Sequence, residues 1–372
     1  MKLHTLSSVT ERRQIIEKKT KTSLPTIGTF SLDETIASTR HCENMIGATQ
    51  VPLGIAGPLC IDKTEYYIPL ATTEGALVAS VNRGCRAITD SGGAIVDNYR
   101  VGSTRGPVFY VKNLKESARL NTFIDTHLKE MQSIAQTTSR HIQLTKTFSR
   151  GVGQYRYVRF VYDTKDAMGM NMATIATDKI VRFIEEQTGI SCLALSGNYC
   201  VDKKPSWLNM IEGRGFKVWA EVVLPQKILK QTLKTTAQKI YDAWLSKCIM
   251  GGIMSGSMGY NAQFANILAA LFLATGQDIA HIAECSIGIT TAEVRGKNLY
   301  MSVYLPDLMV GTVGGGTGLS TQKEALAILG VKQSEQLVRV VGASVLAGEI
   351  SLLASLSEGT LAKAHICLAR GK

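Results

Sequence analysis

The chain of 372 residues lacks the short signatures that most often betray a ligand. No G-x-G-x-x-G occurs, so a dinucleotide bound here would sit on a scaffold other than a Rossmann fold. No Walker A segment occurs, which sets aside the P-loop nucleotidases. The eight cysteines (Cys42, Cys60, Cys85, Cys192, Cys200, Cys248, Cys285 and Cys367) form no C-x-x-C and have no histidine at zinc spacing. They read as buried reduced thiols, and no metal site is expected. No uninterrupted apolar run reaches the roughly 18–20 residues of a membrane span, FANILAALFLATG being too short. The opening MKLHTLSSVTERRQ has no signal-peptide core. A cytoplasmic protein without a membrane segment is expected. Aromatics make up only 6% of the chain and the basic residues are dispersed, so no stacking platform for nucleic acid is visible.

What is present points to a globular protein, with 45% hydrophobic and 19% charged residues. The length suggests two or three domains. A formal charge of +11 implies an anionic partner. Small phosphorylated ligands suit dispersed charge better than nucleic acid does, although composition alone does not choose between them. Residues 1–42 read as a small polar, basic, helical segment. From ENMIGATQVPLGIAGPLCI onward the chain turns glycine-rich and apolar. Residues 107–197 alternate strands such as PVFYVKNL and YRYVRFVYD with helices. A glycine-rich helical portion runs to the end, with no solenoid repeat.

Two helical patterns carry acids in odd places. In TTEGALVASVNRGCRAI, the residues Leu77, Val78, Val81, Cys85 and Ile88 share a face, and the spacing predicts Glu74 on that same apolar face. Ser80 and Arg83 lie on another side. A carboxylate on an apolar stripe is costly to ionise unless paired. A plain capping or snorkelling role for Glu74 stays open. In YNAQFANILAALFLATGQD, a stripe of Phe264, Ile267, Leu268, Leu271 and Phe272 ends at Gly276. Asp278 then follows at the negative end of the helix dipole, where it needs a cationic partner or a proton; a solvated loop acid is the bland alternative. The segments KDAMGMNMATIATDKI and GTVGGGTGL could each bring backbone N–H groups to a phosphate. His365 sits in the tail TLAKAHICLARGK, which could deliver a late general acid.

One stretch resists a bland explanation. SGNYCVDKKPSWLNMIEGRG, residues 196–215, sets Asp202, Lys203 and Lys204 against Pro205, with Trp207 close by. Taken in order, ENMIG, PLGIAGPL, ATTEGALVASVNRGCRA, DAMGMNM, this stretch, GSMGYNAQFANI, ATGQD, GTVGGGT and GEISLLASLSEGTLAKAH closely resemble 3-hydroxy-3-methylglutaryl-CoA reductases from about residue 25 onward. TTEGALVAS and DKKP resemble the first class of that family, here without a membrane anchor.

The resemblance implies an α/β (α+β) fold. Residues 43–106 and 198–372 would form a large substrate- and CoA-binding domain around a central helix. Residues 107–197 would form an inserted ferredoxin-like, non-Rossmann NADP(H) domain. The implied reaction is the four-electron reduction of 3-hydroxy-3-methylglutaryl-CoA to mevalonate and CoA by NADPH, an oxidoreductase step in isoprenoid biosynthesis. It would occur in a homodimer or dimer of dimers, with the site between subunits and no nucleic-acid or membrane partner. The implied roles place Lys203 against the carbonyl oxygen, where negative charge builds. Glu74 would donate a proton there, its acidity weakened by a neighbouring carboxylate. Asp278 would link Glu74 to Lys203, and His365 would protonate the departing thiolate. Ser196, Asp202, Lys204 and Arg105 would hold the hydroxymethylglutaryl part, and Ser80, Arg83, Lys247 and Asn266 the CoA side. The cofactor would meet Asp166, Met168, Gly169, Met170, Asn171, Val313, Gly314 and Gly315, with Ser139 and Arg140 at its 2′-phosphate. The sequence departs from the family at Ile279-Ala280-His281-Ile282 after GQD, and at Gln263 where a histidine is common. An NAD-dependent oxidation of mevalonate and a non-catalytic CoA-binding protein are the rival readings. Rates with NADPH and NADH separate the first from the reduction, and the presence of all four catalytic residues weakens the second.

Overall fold

The computed structural model describes Leu3, Leu6 and residues 8–359. Its frame is a hairpin and one large sheet. Strands β1 (Leu53–Ile61) and β2 (Thr64–Ala71) pair antiparallel. Asp62 and Lys63 join them with φ of 47° and 70°, the left-handed pair that a two-residue hairpin turn needs to match strand twist.

The sheet has eight strands: β3 (Ile95–Arg105), β4 (Val108–Tyr110), β5 (Gln143–Val152), β6 (Tyr155–Asp163), β7 (Cys192–Ala194), β8 (Arg214–Leu224), β9 (Ile289–Arg295) and β10 (Asn298–Leu308). Their order is β7-β4-β6-β3-β8-β10-β9, with β5 also on β6. Strand β3 changes partner along its length. Ile95 to Gly102 pair with β8, and Ser103 to Arg105 pair with β6.

Two apolar cores flank this frame. The smaller packs Phe109, Phe160 and Tyr162 of the sheet against Leu120, Ile124 and Ile180 of the helices Leu114–Thr126 and Met170–Thr188. The larger surrounds the helix Ser334–Ser357, whose Val338, Val341, Val345, Leu346, Ile350 and Leu353 are all buried. Reading for uninterrupted apolar runs passed over this helix, because Glu335, Arg339, Glu349 and several serines break the run. Its hydropathy nevertheless reaches that of a membrane span, and it is the one such helix among the described residues; 89% of its apolar window is buried inside the protein. At the N-terminus, Val9 and Ala37, from the helices Val9–Thr20 and Glu34–Arg40, pack with Met45.

The helix Leu77–Asp90 crosses the central helix at Gly84. A Cβ there would stand 1.9 Å from the carbonyl oxygen of Ala347, so only glycine permits the approach. This contact brings Ser80 and Arg83 against the last turns of the central helix.

Candidate active site

Residues 198–205 leave β7 and cross the junction between the cores. Asn198, Val201 and Lys203 adopt left-handed φ of 64°, 50° and 59°. For non-glycine residues this costs roughly 1–2 kcal/mol each, and it persists only where surroundings over-determine the backbone. They do so here. Thr104 Oγ1 donates to the carbonyl of Cys200 (2.9 Å), Asn209 Nδ2 to that of Val201 (3.1 Å), and the Lys203 amide to Glu284 (3.3 Å). The loop thus aims Lys203, whose Nζ lies 2.7 Å from Asp278 Oδ2.

Asp278 has the cation its position requires. It follows the helix Phe264–Thr275 and its left-handed Gly276, then caps the next turn by accepting from the Ala280 amide at 3.0 Å. Partial burial pushes its acidity down. The hydrogen bonds from Lys203 and Ala280 and the charges of His281 and Lys203 outweigh that and hold its carboxyl below the ordinary carboxylate range. Asp278 is therefore a carboxylate and not a partly protonated acid.

Behind this pair lies a buried hub. Arg214, at the start of β8, is fully enclosed and donates to Glu284 (2.5 Å), Asp202 (3.0 Å) and Thr104 (2.8 Å). Asp202 also faces Arg105 at 3.5 Å, and Arg105 donates to Thr174 at 2.6 Å. Asn209 ties Asp307 (2.5 Å) to Arg159 (3.1 Å). Burial and the neighbouring Glu284 charge push the Asp307 carboxyl well up. Glu284 goes the other way. Burial raises it, but the His281 hydrogen bond and the Arg214 guanidinium win. Asp202, His281 and Glu284 bring donor atoms within 4.8 Å of one another, a spacing that would suit a metal. Arg214 already bridges the two acids.

A cavity of ≈830 Å³ opens beside Pro205 and is lined by Glu74, Ser80, Arg83, Asn261 and Asn266. Glu74 is not on the apolar face that the periodicity predicted. The helix begins only at Leu77, after Ala76 at φ 75°, and Glu74 stands exposed in the preceding turn. Its Oε1 accepts from Asn266 Nδ2 at 3.5 Å. Arg83 is fixed by the Ser351 carbonyl and Ser355 Oγ, both at 2.6 Å, and Ser80 meets Ser351 Oγ at 3.0 Å. The buried Glu349 anchors the cavity wall by accepting the amides of Ala262 (2.8 Å) and Gln263 (2.7 Å). Lys247 is exposed on Leu245–Gly251, a π-helical stretch of the kind often found near functional sites, and does not line the cavity within this chain. Ser196 Oγ lies 3.5 Å from Cys200 Sγ, and the exposed Lys204 donates to the Asp202 carbonyl at 3.4 Å.

The two glycine-rich segments meet. Ala167 forms a parallel bridge with Val313, and the Asp166 carbonyl accepts from Thr312 at 2.8 Å. The Asp166 carboxylate accepts from the Ser334 amide at 2.8 Å, while Met168 and the cap Gly169 lead into the helix Met170–Thr188 that carries Asn171. Gln277 clamps Gly311 through both of its backbone groups, at 2.9 and 3.0 Å. Gly276 packs so closely on Gly316 that a Cβ would lie 2.3 Å from its carbonyl oxygen. The turn that carries Asp278 and the glycine loop therefore form one packed unit. Ser139 and Arg140 lie in the loop before β5, where Arg140 is exposed and contacts His141 at 3.0 Å. His365 lies outside the described residues.

Sequence reasoning gave no role to the hub residues Arg214, Glu284, Asn209 and Asp307, nor to His281. One signal was available. Asp278-x-x-His281-x-x-Glu284 repeats at the three-residue spacing that places side chains on one helical face.

Comparison with known proteins agrees along the whole chain. A protein of Methanocaldococcus jannaschii named 3-hydroxy-3-methylglutaryl-coenzyme A reductase is 50% identical, the match spanning 96% of this chain and 92% of that one. The protein of that name from Methanothermobacter thermautotrophicus is 46% identical, over 97% and 93%. Among solved structures, the class II 3-hydroxy-3-methylglutaryl-CoA reductase of Streptococcus pneumoniae bound to NADPH superposes with a TM-score of 0.72 at 19% identity. That match covers 95% of this chain and 98% of that one, a likeness of fold. The sequence profile described as Hydroxymethylglutaryl-coenzyme A reductase matches residues 8–370, and with these relatives it follows that the chain belongs to the hydroxymethylglutaryl-coenzyme A reductase family.

Proposed function

We propose that this chain reduces 3-hydroxy-3-methylglutaryl-CoA to mevalonate and CoA with NADPH, in the first-class manner suggested by TTEGALVAS and DKKP. The observation that carries the reading is the Lys203–Asp278 pair. A cation on a strained, fully braced loop is held 2.7 Å from a carboxylate, beside a cavity of ≈830 Å³ that also holds Glu74. Such a cation stabilises charge that develops on a carbonyl oxygen more than it stabilises the resting substrate.

In this reading Lys203 Nζ faces the substrate oxygen, and Asp278 fixes the direction of Nζ. Glu74 gives its proton to the same oxygen, and His365 protonates the leaving thiolate. Ser80, Arg83 and Asn266 line the CoA side with Lys247, while Arg105, Ser196, Asp202 and Lys204 surround the acyl part. The glycine loop fits a dinucleotide phosphate. Gly314 and Gly315 have left-handed φ of 81° and 55°, and the space a Cβ would fill at each is open. Val313, Asp166, Met168, Gly169, Met170 and Asn171 border it, with Ser139 and Arg140 assigned to the 2′-phosphate. The bound cofactor supplies hydride, and two equivalents are needed to take a thioester to an alcohol.

Residues 107–197 are proposed as a ferredoxin-like cofactor domain, a reading supported by β-α-β-β-α-β chain order and the strand order β7-β4-β6-β5. Residues 43–106 and 198–372 make up the large domain in the same reading. A homodimer or dimer of dimers in the cytoplasm is the assembly we favour. Supporting it, Ile95, Tyr99 and Trp219 of the sheet are exposed, and so are Met250, Ile253 and Met254 on the helical stretch that carries Lys247. The test is NADPH consumption by the purified protein. It should depend on 3-hydroxy-3-methylglutaryl-CoA, release CoA, and consume two NADPH per mevalonate. Consumption that is independent of the acyl-CoA, or absent, refutes the reading.

A further inference from the structure

His281 is completely buried, yet no step above uses it. It stands in the short turn after Gln277, three residues beyond Asp278 and three before Glu284. Its Nδ1 makes a short hydrogen bond to Glu284. Glu284 is held as a carboxylate, so the proton of that bond sits on Nδ1. The other ring nitrogen, Nε2, has no hydrogen-bond partner although it is enclosed. It points between two carboxylates, 3.7 Å from Asp278 Oδ2 and 3.9 Å from Asp202 Oδ1. A bare lone pair facing two anions is repelled, whereas an N–H there is attracted to both.

The surrounding charges give this geometry a purpose. Asp202, Asp278 and Glu284 are matched by Arg105, Lys203 and Arg214, three against three. Beyond them stand Asp307 and Arg159, joined through Asn209. When Lys203, still directed by Asp278, also serves the substrate oxygen, it neutralises that carboxylate less fully. The nearest other basic nitrogen is His281 Nε2, at 3.7 Å from Asp278 Oδ2.

We propose that His281 is a positioning residue of the reduction: as an imidazolium it holds the carboxylates of Asp278 and Asp202 from behind while Lys203 serves the developing oxyanion. This rests on the reductase reading given above. No bond to substrate is made or broken by His281, and its proton stays on the ring.

The test compares wild type with His281→Gln and His281→Leu, using 3-hydroxy-3-methylglutaryl-CoA and NADPH from pH 6 to 9. Both variants should lose kcat on the order of 10-fold at the acid end, with KM for NADPH little changed. For His281→Gln the gap should narrow as pH rises and the wild-type ring gives up its second proton. A deficit of equal size at every pH, a loss confined to KM, or full activity in His281→Gln overturns the proposal. Should His281→Leu fail to fold, the Gln variant and a direct reading decide. The direct reading is nitrogen NMR of histidine-labelled wild type, with the His281 signal assigned by its absence in His281→Gln. Protonation of both ring nitrogens at pH 6 to 7 supports the proposal, and a neutral ring there overturns it. Wild type inactive at every pH would instead overturn the reductase reading, and the NMR result would still judge the imidazole.

Discussion

Arg214→Met keeps most of the side-chain volume and removes only the guanidinium. In the native chain that group has no solvent contact and bridges Glu284 and Asp202, two acids from different segments. Breaking a buried pair by removing one partner strands the other charge and costs about 3–5 kcal/mol. For a chain of this size that corresponds to roughly 4–6 °C in melting temperature. The loss has a distinctive pH dependence. In wild type the Glu284 carboxyl is held below its ordinary value, so its stabilising share is complete at neutral pH and fades only as pH falls through that lowered value. In the variant the burial of Glu284 is opposed by His281 and by the longer hydrogen bonds from the Lys203 amide and Asn209 but by no guanidinium, and the Glu284 carboxyl rises. A raised acid favours the folded state below its unfolded value and loses that advantage as pH climbs. The gap between the two proteins should therefore be widest near pH 8 and shrink toward pH 5. Urea denaturation followed by circular dichroism at four pH values in that range measures it. Adding Glu284→Gln to the variant should recover part of the loss at pH 8, because the stranded charge is then gone. A gap of constant size from pH 8 to pH 5 would mean that packing, not charge, is what Arg214 supplies.

Four further outcomes are expected. Lys203→Ala should fold and bind CoA nearly as wild type while kcat falls at least ~100-fold; retention of more than a tenth of wild-type kcat, a loss under roughly 1.4 kcal/mol, shows that Lys203 does not face the oxyanion. Arg140→Ala should raise KM for NADPH and leave NADH almost unaffected, since only NADPH carries the 2′-phosphate, and equal losses with both cofactors refute that assignment. Gly276→Ala would place a methyl 2.3 Å from the Gly316 carbonyl oxygen and should displace the glycine loop, raising KM for NADPH with about 1–3 kcal/mol lost from stability; an unchanged KM separates the loop from cofactor binding. His365→Gln should cripple reduction of the thioester by ~10²–10⁴-fold yet spare mevaldehyde, which has no thiolate to expel, and comparable losses on both substrates would assign it another role.

Elements with a strong period were legible in the sequence. The stripe from Phe264 to Phe272 and its stop at Gly276 stand where the periodicity placed them, because one face meets one core. Glu74 was misplaced for a local reason. Gly75 and the left-handed Ala76 delay the helix to Leu77, and periodicity alone does not register such a turn. The central helix, expected from the resemblance, escaped the search for apolar runs because its polar residues are partnered: Glu349 is buried but receives two backbone amides and Thr290 Oγ1. The site was legible in its exposed, motif-bearing residues and illegible in its support. Arg214 and Glu284 lie 70 positions apart, and nothing local tells either one that the other is 2.5 Å away. Asp278-x-x-His281-x-x-Glu284 is different, since its short-range spacing could have joined those three, although the sequence reading did not use it.

Strand β3 is hydrogen-bonded to β8 from Ile95 to Gly102 and to β6 from Ser103 to Arg105, without a break in the chain between them. A door on a flexible strap can swing; a plank nailed to both jambs can only twist. The two cores share such a plank, and opening a gap between them would first have to unzip backbone ladders on one side of Gly102. Access for the nucleotide and the acyl chain is then a matter for the loops around the plank and not for separation of the two halves. The same continuity makes the cores one unit in unfolding, so that a lesion in either should lower a single shared transition instead of melting its own half first.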